Sequence, residues 1–136
     1  MHRVVIDTNL WISYLISSKY DFLDDLIERD VIKIIYSEAL LQELLDVTSR
    51  PKFKKYFHKD DVLCLMHFIY QNAEFIECTT TVEICRDEKD NFLLGLAIDS
   101  EADFLLSGDM DLLVLEKIGS TEILNISEFK YKILSN

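Results

Sequence analysis

A run of apolar residues, Arg3-Val4-Val5-Ile6, stops at Asp7-Thr8-Asn9, and a stretch of helical character, Leu10 to Ile16, starts at once. Two valines and an isoleucine in succession read as a buried strand. A strand that passes directly into a helix belongs to an α/β chain. Here it leaves a carboxylate where the strand stops. In open α/β sheets that edge is where ligands bind.

The rest of the chain repeats the alternation. Further strands are predicted at 31–36, 74–77, 103–107 and 122–124. Ser37 reads as an N-cap for a helix over 38–47, with Leu40, Leu41, Leu44 and Leu45 on one face. Other helices are predicted over 87–100, over 110–117, and from a cap at Ser127 to about Leu134. Strands separated by helices indicate βαβ units. The expected fold is an α/β three-layer sandwich with a central parallel sheet of about five strands. The strongly apolar first strand is placed at the centre of that sheet.

At 136 residues, the chain is expected to form one domain, residues 1–136. Three Gly and one Pro argue against linkers and low complexity. No apolar run is long enough to span a bilayer, and no secretion signal is visible. Cys64, Cys78 and Cys85 are an odd set. Without a signal peptide they read as reduced, part-buried thiols in a cytoplasmic protein. No CxxC spacing supports a zinc site.

The chemistry lies in the acids. Asp7 follows the first strand, Asp87 and Asp90 open a helix, and Asp109 and Asp111 follow the fourth strand. In a parallel sheet, strand C-termini and the helix N-termini they feed share one edge. Glu43 sits about two turns into the helix after the second strand, and its longer side chain can reach back over that edge. Each acid also has a bland reading. Asp87 fits an N-cap with Asp90 at N3, and Asp109 or Asp111 can cap the helix that follows. Asp7 can cap as well, although Asn9 is better placed for it. Convergence is the stronger argument. Mg²⁺ and Mn²⁺ take oxygen ligands, and such ions assist phosphodiester cleavage by lowering the pKa of an attacking water and neutralising the leaving oxygen. Without a cation, two carboxylates about 4 Å apart repel by about 4 kcal/mol at an effective dielectric of 20.

The formal net charge is −11, which repels nucleic acid in bulk, so any such contact must be local. The positives supply one place for it. Arg50, Lys52, Lys54, Lys55 and Lys59 fall in a ten-residue window without an acid, interleaved with Phe53, Tyr56 and Phe57. Cations and aromatics in alternation can follow phosphates and stack unpaired bases. The plainer reading is a solvated connection whose aromatics pack inward.

Taken together, V-V-I-D-T-N at the start, S-E-A-L-L-Q-E-L around Glu43, D-E-K-D-N-F-L-L-G-L-A around Asp90 and D-F-L-L-S-G-D-M-D-L-L around Asp109 resemble the PIN-domain family. Within it, the chain looks closest to the toxin components of bacterial toxin–antitoxin pairs. The resemblance implies Mg²⁺- or Mn²⁺-dependent ribonuclease activity at a quartet of acids. Residue by residue these are Asp7, Glu43, Asp90 and Asp109, with Asp111 as an accessory metal ligand. Thr8, Asn9 and Ser107 fall beside the site as substrate-binding positions, and Ser107 stands where threonine is commoner. Lys52, Lys54 and Lys55 are the candidate contacts to the RNA backbone. The resemblance also implies homodimers and a small antitoxin partner whose segment enters the acidic groove.

Two other readings remain. One is an aspartyl-phosphate phosphotransferase with Asp7 as nucleophile, weakened by Asn9 standing where a second Asp is usual. The other is a catalytically silent acidic module that receives a basic peptide.

Overall fold

The computed structural model describes residues 1–16, 21–57, 59–79 and 90–135. Six strands form one sheet: β1 (His2–Ile6), β2 (Ile32–Tyr36), β3 (Ala73–Phe75), β4 (Phe104–Leu106), β5 (Lys117–Ile118) and β6 (Thr121–Leu124). Their order is β3-β2-β1-β4-β6-β5. Every neighbouring pair is parallel except β5 with β6. Among the described residues the helices are α1 (Thr8–Ile16), α2 (Asp21–Glu28), α3 (Glu38–Thr48), α4 (Lys59–Asn72), α5 (Asn91–Ser100), α6 (Met110–Leu113) and α7 (Ile126–Leu134). They complete the expected α/β/α sandwich. None of the described helices is long and apolar enough to cross a membrane.

The core follows from the strand sequences. Val4, Val5 and Ile6 of β1 are buried on both faces of the sheet, as a central parallel strand requires. Ile34 and Ile35 of β2 and Leu105 and Leu106 of β4 flank them and are equally buried. From α3, Leu40, Leu44 and Val47 pack inward, and from α5 Leu93, Leu94, Leu96 and Ala97 do so. Ser37 caps α3 as expected, its Oγ accepting from the Leu40 amide at 3.2 Å.

The strand order sets up the site. From β1 the chain steps outward to β2 and β3 on one side. It then returns to place β4 on the other side of β1. The order therefore reverses between β1 and β4, and the crevice outside their C-terminal ends is a topological switch point.

Three local expectations are corrected. The helix predicted over 110–117 ends at Leu113. Glu116 turns left-handed at φ 61°, and Lys117–Ile118 then pairs antiparallel with β6 as a sixth strand. Gly119, at φ 58°, makes the tight return that a side chain would strain. The cap of α7 is Asn125, not Ser127. Asn125 Oδ1 accepts from the Glu128 amide at 2.8 Å, and Glu128 Oε1 accepts from the Asn125 amide at 3.0 Å, a reciprocal capping box. Cys64 and Cys78 are free but exposed rather than part-buried. The described part of the helix predicted from 87 starts at Asn91. Asp87, Lys89, Cys85 and His58 lie outside the described residues.

Candidate active site

Asp7 occupies the junction between β1 and α1. Its amide donates to the Leu106 carbonyl of β4 at 2.9 Å, which continues the sheet ladder one residue past the strand. Its carboxyl then caps α1. Oδ1 accepts from the Asn9 amide at 3.0 Å, so Asp7 and not Asn9 takes the capping role. Asn9 lies in the first helical turn and is exposed. Oδ2 of Asp7 accepts from the Ser107 hydroxyl at 2.7 Å. The residue is only 5% exposed. Burial, above all, pushes its carboxyl above the usual carboxylate range, and the charge of Asp109 pushes the same way. The bonds from Ser107 and Asn9 pull it back in part.

The β4 side repeats this construction. The strand ends at Leu106, and Asp109 caps α6, its Oδ1 accepting from the Asp111 amide at 2.9 Å. The Asp109 amide donates to Ser107 Oγ at 3.0 Å. Ser107, fully buried, therefore receives a hydrogen from one loop and gives its own to the other. Two acids, 102 positions apart in the chain, are joined through one hydroxyl. Each is a helix cap set in backbone N–H groups, which offsets part of the repulsion between them.

Glu43 enters from α3. Thr8, 3% exposed at the start of α1, donates its hydroxyl to Glu43 Oε2 at 3.1 Å. The link runs through the residue next to Asp7, so the β1–α1 junction touches both α3 and β4. Asp90 takes the N-cap position of α5, in helical conformation and without a side-chain capping bond. Asp111 is half-buried in the first turn of α6. Lys52, Lys54 and Lys55 lie past the end of α3 that is remote from Ser37, on a turn of their own. The structure thus ties Asp7, Thr8 and Glu43 together on one side of the junction, and Asp7, Ser107 and Asp109 on the other. Among the described residues no three His, Cys, Asp or Glu side chains stand close enough together to hold a metal ion. The acids form hydrogen-bonded links rather than a closed ligand cage.

Sequence reasoning placed Thr8 and Ser107 beside the site but did not see that both hydroxyls are spent on acids. A short hydroxyl residue directly after, or two before, a strand-end aspartate was the available signal.

Comparison with known proteins agrees with this architecture. The PIN domain profile matches residues 3–111, most of the chain. The chain belongs to the PIN-domain family. An uncharacterized protein of Methanocaldococcus jannaschii is 32% identical over 117 residues, covering 83% of this chain and 74% of its own. Two solved PIN-like structures share the fold at low identity. Rickettsia felis VapBC2, solved bound to a DNA fragment from their promoter, superposes with a TM-score of 0.59 at 18% identity, over 90% of this chain and 98% of that one. PAE2754 from Pyrobaculum aerophilum gives a TM-score of 0.59 at 13% identity, over 99% and 91%. PIN domains are generally nucleases, and in this one Asp7 and Asp109 are linked through Ser107 at the reversal of strand order.

Proposed function

We propose that this PIN domain is a metal-dependent endoribonuclease and the toxin of a toxin–antitoxin pair. The observation that carries the reading is the Asp7–Ser107–Asp109 link, which sets two carboxylates within each other's field at the switch point. The donors are all oxygen, which suits a hard cation. Mg²⁺ commonly binds through one or two carboxylates and substrate phosphate while keeping several waters, so a pair is enough to start from. Asp7 and Asp109 would hold Mg²⁺ or Mn²⁺, with Glu43 and Asp90 on flanking helices and Asp111 as an accessory. When bound, such a cation supplies a more acidic water and neutralises charge at the departing ribose oxygen.

The chain's own residues do the positioning. Ser107 and the Asn9 amide fix both oxygens of Asp7. Thr8 fixes Glu43, which takes the proton of the attacking water. Ser107 and Thr8 serve by holding acids, while exposed Asn9 meets the substrate. The fold shared with VapBC2 supports a small antitoxin partner. The same reading takes the cytoplasm, where cellular RNA is made, as the place where the protein acts.

The test is cleavage of a labelled single-stranded RNA. The wild type cleaves with Mn²⁺ or Mg²⁺ and stops when EDTA is added. Asp7→Asn and Asp109→Asn each lose about 100-fold or more in rate, equivalent to ~2.7 kcal/mol of barrier. Cleavage by either variant at the wild-type rate overturns the assignment. Growth arrest on expression of the wild type but not of Asp7→Asn tests the toxin role.

A further inference from the structure

Just past α3 the chain carries cations that the catalytic reading does not use. Arg50 is tied to Asp46 of the same helix at 3.5 Å. Lys52, Lys54 and Lys55 are exposed, and no carboxylate among the described residues pairs with them. They sit on a fixed frame. Pro51–Phe53 is a 3-10 turn, closed by the Phe53 amide to Arg50 at 2.9 Å and the Lys54 amide to Pro51 at 3.2 Å. The Tyr56 and Phe57 amides both reach back to the Phe53 carbonyl, at 2.9 and 3.0 Å. Phe53 and Phe57 pack against the core with their rings 6.2 Å apart, which pins the turn. Tyr56 does not join them and is 47% exposed. Lys52 Nζ stands 5.0 Å from the Phe53 ring centre, and Lys55 Nζ 5.0 Å from that of Tyr56.

Lys52, Lys54 and Lys55 make a local positive cluster on a protein of net charge −11, and Lys52 and Lys55 stand beside aromatic rings. Phosphates provide a counter-charge, and the exposed ring beside them provides a stacking face for a base. We propose that Lys52, Lys54, Lys55 and Tyr56 form a binding strip for single-stranded RNA, separate from the cleavage site, that grips the substrate strand away from the scissile bond. The proposal rests on the nuclease reading. Glu43 lies midway along α3, whose 11 residues span about 16 Å. The strip begins on the order of 10–20 Å beyond Glu43, a separation of a few nucleotides. Strands too short to reach it touch the cleavage site alone.

The experiment compares the wild type with a Lys52→Gln/Lys54→Gln/Lys55→Gln triple variant and with Tyr56→Ala, each checked for an unchanged melting temperature. Binding of a labelled oligouridine of about 15 nucleotides is measured in EDTA across a salt series. Three lost phosphate contacts at about 0.7 each reduce the slope of log affinity against log salt by about 2 in the triple variant. In Mn²⁺, the ratio of kcat/KM for the long strand over a dinucleotide falls about tenfold, the change lying in KM; this is about 1.4 kcal/mol. Tyr56→Ala weakens binding and leaves the salt slope near that of the wild type. An unchanged slope and ratio in the triple variant overturn the proposal. So does a triple variant that keeps RNA affinity but no longer binds polyglutamate, which would make the strip a contact for an acidic protein. Binding through the lysines without any cleavage sinks the nuclease reading alone. Cleavage with a lysine-independent salt slope sinks the strip alone.

Discussion

Burial and the charge of Asp109 make the folded chain hold the Asp7 proton more tightly than the unfolded chain does. The sign of the pH dependence follows. Below the unfolded value of 3.8 both states are protonated and Asp7 costs nothing. As pH rises from there through the folded value, the folded state is progressively penalised relative to the unfolded one. Asp7→Asn removes the penalty, so in metal-free buffer it should melt higher than the wild type at pH 7. The gain should vanish near pH 3. A variant less stable at pH 7 would contradict this account. Ser107→Ala acts oppositely, since it removes a bond that lowers the Asp7 carboxyl and leaves the Asp109 amide without its acceptor. It should cost about 1–3 kcal/mol in a denaturant titration. At this scale the sequence disclosed which acids stand at strand ends. It could not disclose the hydroxyl partners, because Ser107 meets Asp7 across 100 positions and Thr8 meets Glu43 across 35.

Helices here are anchored by their first residues. Thr8 opens α1 and is hydrogen-bonded to the middle of α3, so it fastens two elements as well as one acid. Thr8→Val keeps the shape and deletes the donor. It should lower stability by about 1–2 kcal/mol and reduce kcat while leaving KM nearly as it was. Measurement of both constants separates an orienting role for Thr8 from a substrate contact, which would raise KM. On α7, Asn125→Ala removes the side-chain half of the capping box and should cost about 1 kcal/mol without changing catalysis. The longer elements were legible because their apolar residues recur with a clear period, as in Leu40, Leu44 and Val47 of α3. β5 was not, because two residues carry no period and its pairing depends on a turn at Gly119. The α7 cap was misplaced for a similar reason: Ser127 is a good cap by type, but the Asn125–Glu128 reciprocity decides the start.

For the molecule as a whole, the governing fact is the reversal of strand order between β1 and β4. It brings the acids of two loops together before any cation is present, so folding stores their repulsion. A divalent ion at a hundred times its dissociation constant should return about 2.7 kcal/mol of stability. For a chain of this size that raises Tm by roughly 10 °C. EDTA should reverse the rise, and Asp7→Asn should not show it. A thermal scan indifferent to Mn²⁺ and Mg²⁺ would argue that the acids serve some other purpose. The central position of β1 could be inferred from its unbroken apolar character, and the reversal then follows from where the returning chain finds an open edge. The strip at Lys52–Lys55 could be seen in sequence as charge, but not its rigidity, which comes from Phe53 and Phe57 reaching the core.

The bond from the Asp7 amide to the Leu106 carbonyl makes the first acid of the candidate site also the last rung between the two middle strands. Nothing short of prising those strands apart releases it. Deuterium uptake at Asp7 should therefore be as slow as at Val5, with the exposed turn at Lys54 exchanging far sooner. The backbone that carries the Asp7 carboxyl is thus held as firmly as the centre of the sheet, with or without an ion, and its position is lost only when the chain opens.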